Sequence, residues 1–315
     1  MVDYIQKEKV STLVKEVERL GVKPIPIFGT YIYKGEIAIL YGDTNTGKSI
    51  LANDICVSVV GGKPFFDGTE VMMMPTMYFD FEMTRDQYGF RYHGVSDYLK
   101  GELTRVNIDA LECSSKEILN AIEREVIKTQ DQSSAVKFLV IDNITYALDS
   151  LQSGKEIKKM MQSFKQLKDR FGLTILLIAH CTKRKPGAPI REDDLGGSKM
   201  LLNFVDSAFA IGSSVLGNGI KYIKQIKTRM GAKQDQVQTI EICGSPYLHF
   251  EPREMTNEID HLKAKMDWDP RCSIKPEMEP TILRMRDDGA TIQEIADRLD
   301  VSKSALGRYC KKYGI

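Results

Sequence analysis

Two stretches of the chain, FLVI at 138–141 and LTILLIA at 173–179, are apolar with no alternation of polar residues, Thr174 being the one exception. A strand with one wet face alternates, whereas a strand covered on both faces does not, so both runs predict the interior of a parallel sheet. Further strand-like segments fall at EIAILYG (36–42), TMYFDFE (76–82), RVNID (105–109), SAFAIG (207–212), IKYIKQIKT (220–228) and QTIEI (238–242). Helical periodicity intervenes after Ser49 and over 84–99, 116–129 and 156–171. This succession implies an α/β core with helices on both faces of a mostly parallel sheet. The last three strands lack connecting helices long enough for crossovers, which predicts antiparallel pairing at that edge.

Outside the core the pattern changes. Val10, Leu13, Val14, Val17 and Leu20 share one helical face, which reads either as a helix packed on its own domain or as an arm that packs on a neighbouring subunit. After about residue 252 the chain is charged, proline-punctuated and aperiodic, the marks of a linker, up to residue 276. A compact helical module follows over 277–315. There Thr291 is placed to cap a helix carrying Ile292, Ile295, Ala296 and Leu299, and Ser302 to cap another carrying Leu306 and Tyr309. Asp300 stands at the turn between them, and Asp tolerates a left-handed conformation better than most residues.

The sharpest chemical signal lies between the first core strand and the helix after it. GDTNTGKS spans Gly42, Asp43, Thr44, Asn45, Thr46, Gly47, Lys48 and Ser49, with the G-x-x-x-x-G-K-[ST] spacing of a phosphate-binding loop. Glycines free the backbone to aim N–H groups at phosphates, Lys48 reaches the β- and γ-phosphates, and Ser49 is a ligand for Mg²⁺. The expected ligand is therefore ATP with Mg²⁺. Asp142 ends the FLVID strand, where a carboxylate holds the metal opposite the loop. Glu82, at the end of YFDFE, is placed to orient and deprotonate the attacking water; Asp80 on the same side of that strand competes, but Glu82 is nearer the carboxyl tip. His180 ends the strand expected beside that of Asp142, so it reads as a core histidine or as a sensor of the γ-phosphate.

Composition narrows the field. The 315 residues carry a net charge of +1, so any nucleic-acid surface must be local. Six cysteines lie singly with no C-x-x-C pair, which points to a reducing, cytoplasmic setting and away from a structural zinc or disulfide framework. The start of the chain has no apolar signal core and no apolar run approaches ~18 residues, so neither export nor a membrane partner is expected.

From about residue 22 to 252 these motifs, in order, resemble the RecA-like hexameric helicase ATPases, specifically the DnaB-type and plasmid RepA-type replication helicases. GDTNTGKS resembles their Walker A loop, LVIDN their Walker B strand, and FEMTRDQ with Arg91 the motif that carries the catalytic glutamate. IAHCTKR resembles their sensor, with histidine as in the RepA-like branch. DDLGGSKMLLNFVDSAFAI resembles the segment bordering the DNA-contacting loop. IKQIKTRMG resembles the penultimate strand, and the resemblance places Lys227 and Arg229 where a lysine and an arginine finger reach the neighbouring subunit's γ-phosphate. By itself KTR reads equally as a solvated edge. The resemblance thus implies a RecA-like P-loop fold, ATP hydrolysis, a homo-oligomer with a hexameric ring favoured, and DNA as partner. Without a large amino-terminal primase-interacting domain ahead of the core, a self-contained ATPase of a plasmid, phage or mobile element is expected.

Single-stranded DNA contact in the core is expected at Lys183, Arg184 and Lys185, in a loop that Gly187, Gly196 and Gly197 allow to move. The last ~35 residues resemble the helix-turn-helix family, which implies duplex contact through Lys303, Ser304 and Arg308, with Lys311 and Lys312 beyond, unless the module docks protein instead. Two other readings stay open: a recombination-mediator ATPase resembling RadA or KaiC-like proteins, and a DNA-binding regulator in which ATP only switches assembly.

Overall fold

The structure is a computed structural model that describes residues 8–109, 113–132, 134–147, 153–181, 187–195, 198–262, 274–313 and 315. Chain order runs α1 (Val10–Leu20), β1 (Pro26–Phe28), β2 (Ile32–Tyr33), β3 (Ile37–Gly42), α2 (Lys48–Gly61), β4 (Thr76–Asp80), α3 (Arg85–Arg91), β5 (Leu103–Asn107), α4 (Ser115–Thr129), β6 (Phe138–Asp142), α5 (Gly154–Phe171) and β7 (Thr174–His180). It continues through α6 (Ser198–Phe204), β8 (Ser207–Ser213), β9 (Ile220–Lys227), β10 (Val237–Cys243), β11 (His249–Thr256), α7 (Glu279–Asp287), α8 (Ile292–Arg298) and α9 (Lys303–Tyr313). Nine strands form one sheet in the order β11-β10-β9-β8-β3-β7-β6-β4-β5. From β8 to β5 every neighbouring pair is parallel, and from β8 to β11 every pair is antiparallel. The α/β expectation holds, including the antiparallel edge.

The two apolar runs are covered on both faces, as their lack of alternation requires. Leu139, Ile141, Ile175 and Leu177 face α4 and α5 through Ile122, Val126, Met160 and Phe164. Phe138, Val140, Leu176 and Ile178 face the other way, onto Leu51, Ile55 and Val59 of α2 and onto the β1–β2 hairpin. Fully burying each such side chain is worth roughly 1.5–3 kcal/mol relative to exposure, so the central strands anchor the fold. α4 opens on a capping box between Ser114 and Glu117, and α5 stops where Gly172 turns left-handed at φ 64°.

The β1–β2 hairpin and α6 are not expected from the sequence pattern, β5 lies two residues earlier, and three further elements end elsewhere than it predicts. β4 ends at Asp80 rather than reaching Glu82, because the Asp80 carboxylate accepts from the N–H groups of Glu82 and Met83 (both 3.0 Å) and bends the chain. The helix expected over 84–99 stops at Arg91, and Gly94 at φ 87° separates it from a single 3₁₀ turn, Val95–Tyr98. At the far edge β11 runs on past residue 252, and Glu258 and His261 beyond it are buried against the sheet.

α1 buries none of its residues, and its apolar face from Val10 to Leu20 has no cover among the described residues. At the other end α7, α8 and α9 enclose Ile282, Ile295, Ala296, Leu306 and Tyr309. Thr291 and Glu294 form the cap of α8, Asp300 takes φ 51° in the turn, and the Ser302 hydroxyl accepts from Ala305 N–H at 3.2 Å to open α9. Thr291 and Ser302 cap the helices as their residue types predict, and Glu294 adds the second half of the α8 cap.

Candidate nucleotide site

β3 delivers the chain to the phosphate loop from the middle of the sheet, between β7 and β8. Two glycines here are demanded by space. A side chain at Gly42 would meet Ile211 O at 2.6 Å, and one at Gly47, which sits at φ 94°, would meet the Phe250 ring at 2.6 Å. Asn45 turns left-handed at φ 62°, which its short polar side chain tolerates. Lys48 Nζ donates to Gly42 O (3.0 Å) and Asp43 O (2.8 Å), so the ammonium lies within the loop it serves. Burial pulls its pKa down, while Cys181, Asp142, Glu82 and Asp43 push it back up. Thr46 donates to Asp43 O at 2.8 Å and closes the turn.

Asp142 is buried at the tip of β6, where its carboxylate accepts from the Ser49 hydroxyl and, at 2.6 Å, from the Tyr78 hydroxyl. Burial lifts its pKa to about 6, against the two hydrogen bonds that lower it. A buried carboxylate beside a serine hydroxyl, both hard oxygen donors, suits Mg²⁺, whose charge offsets the cost of ionising Asp142 there.

Glu82 faces the same cleft, of ≈ 690 Å³, which Ser49, Asp142, Phe90, His93 and Tyr247 also line. Asp80 also lines the cleft, but it is 1 % exposed and paired with Arg105 at 2.9 Å. Arg105 also donates to Met83 O, and Asn107 to Asp80 O, so edge strand β5 holds the turn that presents Glu82. The neighbouring His180 imidazole holds the Glu82 carboxyl below its ordinary pKa, against partial burial and with help from Asn143 and Lys48.

Asn143 escaped the sequence reading although it directly follows Asp142. Its Oδ1 accepts from Thr145 N–H at 2.8 Å, which assigns the other atom of the amide as the donor. That Nδ2 donates to Glu82 Oε1 at 2.7 Å and lies 2.9 Å from His180 Nε2, so one amide spans both groups. His180 Nε2 is itself 3.6 Å from Glu82 Oε1. Replacing Asn143 by Asp sets a like charge against Glu82 and raises its pKa. The acidic limb of the pH–rate profile for ATP hydrolysis is then expected to move to higher pH, with ATP affinity little changed; an unmoved limb would remove Asn143 from this role.

Lys227 and Arg229 are not brought to this cleft. Register sets Lys227 opposite Ala208, itself opposite Ile39, so Lys227 lies ~10 Å short of Gly42 along the strands and ~10 Å across them. Arg229 lies further away still. Lys227 Nζ donates to Val205 O at 2.8 Å and Arg229 pairs with Asp206 at 2.7 Å. Lys183, Arg184 and Lys185, with Gly196 and Gly197, lie outside the described residues. Lys303, Ser304 and Arg308 are exposed on α9.

The central phosphate loop, the strand-end aspartate beside it and the glutamate facing both define a P-loop ATPase with a RecA-like core. A sequence model of the AAA domain family matches residues 23–186, which takes in the loop, Glu82, Asp142 and His180, and the chain belongs to that family. β8 to β11 and the terminal helices lie beyond the match. No curated protein sequence matches the chain significantly. Among the described residues no helix is long and apolar enough to cross a membrane.

Proposed function

We propose that the protein is a DNA-stimulated motor of the RepA/DnaB-like helicase type, a replication ATPase such as plasmids, phages and mobile elements use, which works as a ring of identical subunits, a hexamer being favoured. ATP would sit on the Gly42–Ser49 loop, in the cleft that Tyr247 and His93 help to line. Ser49 and Asp142 would hold Mg²⁺, which neutralises phosphate charge. Glu82 orients and deprotonates the attacking water, and Asn143 fixes Glu82 relative to His180, which stands at the start of the loop expected to touch DNA.

The observation that carries the subunit ring is the placement of Lys227 and Arg229, too far along the sheet for their own phosphate site, with Arg229 exposed just past the end of β9. The uncovered face of α1 supports the same reading, since five apolar residues at helical spacing call for a partner. α7 to α9 form a helix-turn-helix unit whose exposed basic residues on α9 contact duplex DNA.

The deciding experiment measures ATPase with and without single-stranded DNA, alongside strand displacement on a forked duplex. Stimulation with displacement supports the motor; stimulation alone favours a mediator of strand exchange, and neither favours an ATP-switched regulator. The terminal helices are tested in the full chain: Lys303→Ala with Arg308→Ala is expected to weaken duplex binding by ~10-fold or more at low salt while DNA-stimulated ATPase persists. Unchanged duplex binding would assign these helices to protein docking.

A further inference from the structure

β10 and β11 form a hairpin whose turn lines the nucleotide cleft through Gly244, Tyr247 and Leu248. At its base three side chains of metal-ligating type converge. Cys243 and His249 are direct cross-strand partners, and Glu251, two residues on, shares the face of His249. One ligand atom from each lies within 4.8 Å of the others. No short sequence motif announces this set, because it is assembled across two strands rather than along one turn.

Two further features prepare these residues for a cation. His249 Nδ1 lies 2.8 Å from Tyr247 O, which only accepts, so Nδ1 carries the proton and the Nε2 lone pair is left toward Glu251, 3.8 Å away. This is the arrangement by which a second hydrogen bond orients a metal-binding imidazole. Arg253 is engaged by two carboxylates, Glu241 at 2.8 Å and Glu251 at 3.3 Å. Glu241 therefore retains Arg253 when Glu251 turns to an ion.

We propose that Cys243, His249 and Glu251 form an open three-ligand site for a zinc-class divalent cation, which clamps the hairpin that walls the nucleotide cleft. Thiolate, imidazole and carboxylate suit zinc, and water completes the tetrahedron. Binding forms a Zn–S bond and releases the thiol proton of Cys243 to solvent. The clamp reaches the nucleotide by two contacts. The Tyr247 ring packs at a tilt against His249 with centroids 4.9 Å apart, and Phe250, next along β11, donates its N–H to Asp54 of α2 at 2.8 Å and lays its ring against Gly47.

The test is zinc titration of the tag-free full chain, stripped of metal, by calorimetry, with Co²⁺ absorption as a second readout. One equivalent of zinc is expected to bind, and Co²⁺ to give thiolate charge-transfer and tetrahedral d–d bands. Cys243→Ser and His249→Gln should each weaken zinc binding at least ~10-fold and abolish the charge-transfer or tetrahedral signature. Glu251→Gln, an exposed change that leaves the strands intact, should weaken binding by a similar factor and decides the matter if either of the other variants misfolds. Substoichiometric binding by the parent, or parental affinity in the folded variants, would overturn the site.

Discussion

Replacing Glu82 by glutamine is expected to slow ATP turnover by ~10²- to 10⁴-fold while ATP affinity stays near that of the parent. The amide keeps the size and the contact with Asn143 but has no lone pair basic enough to take a proton from water. Lys48→Ala should do the opposite and lose triphosphate binding itself, since Lys48 Nζ lies inside the loop, bonded to Gly42 O and Asp43 O. The pair separates chemistry from binding. Single-turnover hydrolysis and equilibrium binding of a labelled nucleotide measure the two. Parental turnover by the Glu82→Gln protein would show that another group activates the water, although Asp80, locked to Arg105, is badly placed to replace it.

Arg229→Ala is expected to bind ATP normally and to hydrolyse it ~10³-fold more slowly or worse, because a guanidinium supplied in trans stabilises charge in the transition state. In the single chain Arg229 pairs with Asp206 on a part-exposed edge, where such a pair is worth little and is readily exchanged for a phosphate. Mixing the Arg229→Ala and Lys48→Ala proteins should restore activity. At a mixed interface the first contributes an intact phosphate loop and the second an intact finger. If mixed assemblies form, as native mass spectrometry would show, and activity does not return, Arg229 has no role across the interface.

Much of this site is legible in the sequence because it is written in local geometry. The spacing from Gly42 to Ser49 dictates a loop between strand and helix, and the left-handed turns at Asn45 and Gly47 are the backbone it needs. The non-alternating runs before Asp142 and His180 announce buried strands, and Asp300 at φ 51° is the turn its residue type permits. Less legible was the end of β4: strand alternation carries the pattern on to Glu82, but the Asp80 carboxylate captures two backbone N–H groups and stops the strand early. That capture depends on Arg105, which holds Asp80 in place from the neighbouring strand β5.

By itself, then, the sequence determined the phosphate loop, the strands buried on both faces and the capped terminal helices, since each rests on residue types at fixed short spacing. Tertiary structure decided which of these ends meet. Asn143 reaches Glu82, 61 residues away, and His180, 37 residues away, because parallel pairing brings the carboxyl ends of β4, β6 and β7 together at one edge of the sheet. Antiparallel pairing at the other edge turns Lys227 and Arg229 away from their own nucleotide and sets Cys243 opposite His249. Strand order and register arise from how two layers of helices fill both faces of the sheet, a property of the whole chain that no short stretch of residues encodes.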